Sequence, residues 1–249
     1  MIRQVFDAYG RYYDLLYREK DYSAEVDYVS ALFERFNFSG DSLLEFGSGT
    51  GKHGCLLAKR GFEILGIERS AEMVKGAQSA PGFTCQQGDI CTLALGRTFD
   101  AVLSLFHVVS YQTTNNAAHA VFSRASEHLE SGGLFLFDFW YSPAVYTQRP
   151  SIRIKRFADH QVEITRLAEP INVVNENRVD VSYTILVHDR QSNVVESFQE
   201  VHPMRHFSLP EIDTLLEIHG FSRVNAEEFL TGKELNEDTW GACVVARRN

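Results

Sequence analysis

Three acidic residues and three glycines stand at intervals that suit a nucleoside cofactor. Glu45 lies in "LLEFGSGTGKHG" and is followed by Gly47, Gly49 and Gly51 in strict alternation. Glu68 comes nineteen positions after Gly49, and Asp89 follows in "QQGDI". Glycines at a strand-to-helix turn let the backbone bend sharply and approach a ligand, and the helix start offers free N–H groups. A carboxylate at Glu68 can accept hydrogen bonds from two ribose hydroxyls. Asp89 can pair with an adenine amino group. The same loop also spells G-x-G-x-x-G through Gly49, Gly51 and Gly54, the dinucleotide fingerprint. NAD and S-adenosylmethionine (SAM) therefore compete for it. Glu45, Asp89 and a closing edge hairpin separate them; an acid in the strand suits the cationic amino group of a methionine and would repel a pyrophosphate. Ser110 and Ser142 have no nucleophile elbow around them, which argues against a serine hydrolase.

These residues need elements to hold them. "SLLEFG", "FEILGIE", "FTCQQGD", "FDAVLSLF" and "LFLFDFW" read as strands. Between them, "HGCLLAKRG" reads as a helix stopped at Gly61, and Ser70 as the N-cap of "AEMVKGAQ". Val121, Phe122, Ala125 and Leu129 mark a helix expected to stop at Gly132-Gly133. Strand and helix in alternation imply right-handed crossovers and a doubly wound parallel sheet. Upstream, Tyr9, Tyr13, Leu16 and Tyr17 share one helical face, and a second helix is expected over 24–36.

The period changes to two from Ile152 to Phe207, with Val179, Val181, Tyr183, Ile185 and Val187 alternating strictly. This predicts a small antiparallel sheet inserted into the α/β unit. Ser208 and Glu211 then form a capping box for a helix ended by Gly220, and two strands near 223–230 and 240–247 close the chain as an edge hairpin.

Composition bounds the function. The 249 residues suffice for one α/β domain with an insertion. A net charge of −9 argues against a general nucleic-acid surface. Cys55, Cys85, Cys91 and Cys243 contain no C-x-x-C pair, so reduced thiols are expected rather than disulfides or zinc ligands. No metal is expected. No run is apolar for long enough to span a membrane, and the protein is read as soluble and cytoplasmic.

With "LLEFGSGTG", "GIERSAEMV", "CQQGDI", "FDAVLSLFHVVSY" and "HLESGGLFLFDFW" in this order and spacing, the chain resembles the class I SAM-dependent methyltransferases. The resemblance implies a Rossmann-like α/β fold of seven strands, the last antiparallel. It assigns residues 1–140 with 208–249 to the SAM-binding domain, 141–207 to an inserted acceptor-binding sheet, and 1–38 to a lid. It also implies that Gly47, Gly49 and Gly51 wrap the methionine part and that Glu68, with Arg69 beside it, holds the ribose. Asp89 and Ile90 would frame the adenine, Ser104, Leu105 and Phe106 would pass behind it, and Met73 would face it. A finer resemblance, carried by "YYDLLYREKDYSAEVDYV" and "EVHPMRHFS", points to the deoxyamino-sugar N-methyltransferases, which act on nucleotide-linked sugars. In that group Tyr13 and Tyr22 match tyrosines that close over SAM and substrate.

An amine must lose a proton before it attacks a methyl group. His107, Tyr111 and His202, with Tyr13 nearby, are the candidates to accept or relay it. A nucleotide pyrophosphate would call for cations, which Arg153 and its neighbours Arg149, Lys155 and Arg156 could supply, and Arg205 is a further candidate. Strand alternation puts His202 and His206 on one face and Arg205 on the other. The expected partners are a small-molecule acceptor and at most a second copy of the chain. The rivals are a metabolite O- or N-methyltransferase, an NAD-dependent oxidoreductase using Gly49, Gly51 and Gly54, and a non-catalytic binding module.

Overall fold

The computed structural model describes residues 5–6 and 8–249. Strand β1 (Ser42–Phe46) is buried over four of its five residues, so it lies mid-sheet. It pairs in parallel with β2 (Glu63–Glu68) on one side and β4 (Phe99–Ser104) on the other. β3 (Phe83–Gln87) lies outside β2, and β5 (Leu129–Tyr141) beyond β4. β11 (Gly241–Arg248) runs antiparallel to β5, and β10 (Phe221–Glu228) forms the outer strand of that hairpin. The order is thus β3-β2-β1-β4-β5-β11-β10, with the last strand antiparallel as expected.

Helices cover both faces. On one side α5 (Asn115–Glu127) and α7 (Leu209–Ile218) pack Phe122, Leu215 and Leu216 against Phe135, Phe137 and Phe221. On the other, α2 (Tyr22–Arg35) and α3 (Lys52–Ala58) pack Val29, Leu32 and Leu57 against Leu43, Leu103 and Val245. Ser208 and Glu211 close the expected capping box on α7. Ser70 caps α4 (Ala71–Gly76), its side chain accepting from the Met73 N–H.

One helix ends sooner than its glycines suggest. α5 stops at Glu127, because His128 leaves the helical path and its Nε2 accepts the Leu95 N–H at 3.1 Å. Gly132, at φ +87°, sits inside β5, where the register against β4 shifts. A short helix, α6 (Ser142–Thr147), was also not foreseen.

The inserted sheet follows. β6 (Arg153–Ala158), β7 (Val162–Val173), β8 (Arg178–Asp189) and β9 (Val195–Phe207) pair as antiparallel neighbours. β9 joins the central sheet in parallel through Trp140–His206 and Tyr141–Phe207. The inner face of the insertion meets the N-terminal segment, where Ile164, Ile185 and Val187 pack with Tyr9, Tyr13 and Leu16. That segment is a 3-10 turn (Tyr9–Tyr12) and α1 (Tyr13–Leu16). The remainder of the expected lid, at residues 1–4 and 7, lies outside the described residues.

Candidate active site

A cavity of about 340 Å³ opens where β1, β2 and β4 end and where the insertion and the N-terminal segment meet the sheet. The glycine loop forms its floor. Gly47 has φ +69°, and a Cβ there would come within 2.5 Å of Val108. Gly49 has φ +55°, but a Cβ there would meet only the Met73 sulfur at 3.9 Å, so open space lies over its backbone. Gly51, at the N-cap of α3, is packed on Phe83 and does not line the cavity. Gly54 lies inside α3, where an added Cβ would fall 2.2 Å from Phe83. It is a packing residue, and the dinucleotide reading of the loop loses its third glycine.

Glu68 is aimed by the backbone. One carboxylate oxygen accepts the Gly49 N–H at 3.0 Å and the other the Ser70 N–H at 2.7 Å. Burial raises its pKa above the usual carboxylate value, against the pull of these bonds. Asp89, whose Oδ1 accepts the Cys91 N–H at 2.8 Å, stands with Ile90 at the far wall. Arg69, Met73, Leu105 and Phe106 also line the cavity. The open floor at Gly49 and the acids at Glu68 and Asp89 fit the methionine, ribose and adenine parts of SAM.

Besides Gly51, two more expected contacts are absent from the wall. Glu45 is buried behind the loop, with Oε1 3.6 Å from His53 Nδ1 and Oε2 without a hydrogen-bond partner. His53 Nε2 in turn lies 2.6 Å from Glu25, which pairs with Lys20. Ser104 is fully buried in β4 and also stays off the wall, its Oγ without a hydrogen-bond partner.

The other half of the cavity faces the insertion. Phe106 and His107 both adopt φ +64°, a conformation side chains rarely take. This bend presents His107 to the cavity and brings its Nδ1 to 2.6 Å from Asp138, whose side chain is 0% exposed. The approach is off the N–H axis, and both Asp138 oxygens also accept the His107 backbone N–H, at 3.1 and 3.2 Å. Opposite, Tyr111 Oη lies 3.0 Å from His202 Nδ1. Burial raises Tyr111 well above the usual phenol value and lowers His202, against the pull of Glu200. Tyr13, Tyr17, Tyr22, Trp140 and Tyr183 supply aromatic walls. Burial likewise raises Tyr13 well above an ordinary phenol. Thr50 and Ser70 donate to Asp14 and the Phe6 carbonyl at 2.8 and 2.9 Å, tying the N-terminal segment over the glycine loop.

Arg205 is corrected by the pleat. It points away from the cavity, donates to Asn115 at 2.8 Å, lies 3.4 Å from Glu211 and covers the Phe207 ring. His206 shares the His202 face but bonds Ser142 at 2.8 Å, and burial lowers its pKa to about 4. Arg153 sits on exposed edge strand β6 and does not line the cavity either. The register puts it beside Ala168 and Tyr183, on the inner face with Lys155 and Arg166. Arg156 takes the outer face. Arg166, unforeseen, donates to the Tyr9 hydroxyl at 2.7 Å and stacks on Tyr17, Phe157 and Tyr183. Asp138 and Glu200 were also unforeseen. Each carried a readable signal, as an isolated acid in an otherwise apolar strand or at an inward strand position.

Residues 43–133 match the family described as a methyltransferase domain. The chain is 31% identical to the dTDP-3-amino-3,4,6-trideoxy-alpha-D-glucopyranose N,N-dimethyltransferase of Streptomyces venezuelae, over 81% of this chain and 84% of that one. Streptomyces venezuelae DesVI superposes with a TM-score of 0.78 at 26% identity, covering 95% of this chain and 97% of that one. CalS10, an amino pentose methyltransferase of Micromonospora echinaspora solved with SAM bound, gives 0.76 at 25% identity over 100% of both chains. With the strand order, the open glycine floor and Glu68 already in place, the match leaves one assignment: the chain belongs to the class I SAM-dependent methyltransferases.

Proposed function

We propose that this methyltransferase acts on the amine of a nucleotide-linked amino sugar. SAM, when bound, supplies a methyl group on a positively charged sulfur, ready for in-line transfer to a nucleophile. The protein must align the acceptor and remove a proton from it. The observation that carries the reading is the contact between His107 and Asp138 on the cavity wall. A buried carboxylate holding a cavity-facing imidazole is how a site fixes a polar group that hydrogen-bonds and orients an incoming amine. The relatives that act on dTDP-linked amino sugars support the same acceptor class. On the inner face of the insertion, Arg153, Lys155 and Arg166 flank Tyr183, a cavity residue. They form a cationic approach suited to a diphosphate in a chain whose net charge is negative.

In this reading residues 141–207 form the acceptor-binding unit and the N-terminal segment is a lid. We also infer a cytoplasmic protein, which its four free cysteines suit. No helix among the described residues is long and apolar enough to cross a membrane. A homodimer through the outer face of the insertion is part of the proposal, since Ile154, Leu186 and Val201 are exposed there. Sedimentation of wild type and Leu186→Glu tests that point.

The deciding experiment compares three acceptors with SAM: a dTDP-linked amino sugar, the same sugar without nucleotide, and its hydroxyl analogue. Methylated amine from the first, with a much higher KM for the second, is expected. Turnover of the hydroxyl analogue in preference to the amine would replace this reading with O-methylation.

A further inference from the structure

His202 has one nitrogen committed to Tyr111, and the other faces a carboxylate that the N-terminal segment itself holds in place. Glu200 precedes His202 by one pleat repeat on β9, so both point to the inner face. Its side chain is 0% exposed. Glu200 Oε1 accepts the Ala8 and Tyr9 backbone N–H groups at 2.8 and 2.9 Å, and Oε2 accepts the Phe6 N–H at 3.0 Å. The same Oε2 lies 3.4 Å from His202 Nε2, close enough to attract it but off hydrogen-bond geometry, and Nε2 has no hydrogen-bond partner. The Phe6, Tyr9 and Tyr183 rings pack around the imidazole, with centroids 4.9 to 5.1 Å away. Three amides from one segment therefore compensate a buried anion, and side chains of that segment form the slot in which His202 sits.

We propose that Glu200 is a positioning residue that makes closure of the N-terminal segment and alignment of a Tyr111–His202 proton relay a single event. With a hydrogen on Nε2 facing Glu200, Nδ1 is left to accept from the Tyr111 hydroxyl. The Tyr111 oxygen then keeps its lone pairs for the cavity it lines. A proton leaving an acceptor ammonium breaks an N–H bond and forms an O–H bond on Tyr111. Tyr111 gives its own proton to Nδ1, and the resulting imidazolium faces Glu200. When the segment lifts, Glu200 loses three donors to water and His202 loses the group that orients it. A buried carboxylate is costly without such partners, so the segment and the relay order together. The groups facing His202 are Tyr111 from the loop after β4, Glu200 on its own strand, Tyr183 on β8, Arg166 on β7 and Tyr9 from the segment.

The rate readout rests on the amine-methylating reading, while two others need no acceptor. Imidazole nitrogen NMR of wild type should show His202 as the Nε2–H tautomer; an Nδ1–H tautomer overturns the proposal without any variant. Hydrogen exchange at Ala8 and Tyr9 should speed up in Glu200→Gln. In the same variant kcat should fall on the order of 10- to 100-fold, with the KM for acceptor changed far less. Its rate profile against pH should also shift, and Glu200→Asp should restore part of the rate. Adding His202→Asn to Glu200→Gln should cost nothing further, since two parts of one relay are not additive. Faster exchange with an unchanged kcat and pH profile, or fully additive losses, would make Glu200 a mere anchor and overturn the proposal.

Discussion

Asp138 reaches His107 from the apolar C-terminal half of β5. Its carboxylate sits 2.6 Å from the imidazole Nδ1 and also accepts the backbone N–H of the same residue. An isolated carboxylate at 0% exposure would be costly on the apolar face it shares with Leu136, directly across from Cys243. The histidine and the left-handed bend that presents it make the burial tolerable. Asp138→Asn keeps the shape and one acceptor. Turnover should drop on the order of 100-fold or more while SAM affinity stays within a few-fold. Steady-state kinetics with calorimetry separates the two, and an unaltered kcat would assign the pair to folding alone.

Glu68 is aimed by two backbone N–H groups before any ligand arrives. Glu68→Ala removes a charge-assisted acceptor for ribose hydroxyls and should weaken SAM binding by about 1–3 kcal/mol. Titration calorimetry with SAM and S-adenosylhomocysteine reads this directly. Equal affinity in the variant would place the ribose elsewhere.

Gly54 distinguishes the two readings of the loop. A methyl at this position falls 2.2 Å from Phe83, inside the contact between α3 and the sheet. Gly54→Ala should lower stability by about 1–3 kcal/mol, measured by denaturant unfolding. NAD should not bind the wild type in calorimetry. A variant as stable as wild type would show that the helix and sheet have room to move apart.

The buried row Lys20, Glu25, His53 and Glu45 makes stability depend on pH. Burial pushes His53 down, but its bonds to Glu25 and Glu45 outweigh this and leave its pKa raised. Its contribution is therefore full below its unfolded value of about 6.5 and fades as pH rises through the folded value. Burial pushes Glu25 up, yet His53 and Lys20 leave it lowered, so its contribution fades as pH falls through the folded value. Thermal melts of wild type and His53→Gln should differ most in mildly acidic buffer and converge towards pH 9. A gap that widens with pH would reverse the sign and refute the pairing.

Much of the cofactor half is legible in the chain because it is local. The alternating Gly47, Gly49 and Gly51, the acid at Glu68 and the Ser70 cap each act within a few residues of one strand-to-helix turn. Their spacing alone carries the geometry. The period-two run from Ile152 to Phe207 likewise announces the inserted sheet, since side chains alternate by covalent geometry. The acceptor half is not local. Asp138 meets His107 across two strands, and Glu200 meets the Phe6, Ala8 and Tyr9 amides across almost the whole chain. Glu45 carries the same lesson in reverse. Its spacing suggested a cofactor contact, but His53, eight residues on, stands against it once α3 folds back over β1. Arg205 was expected as a substrate cation, yet the pleat turns it away, while Arg166, which no local pattern singled out, shares the inner face with Arg153. The sequence by itself determined the strand order's building blocks and the glycine turn that floors the cavity. Tertiary structure alone decided which buried carboxylate backs which histidine, because only packing brings charges from distant strands out of water and into contact.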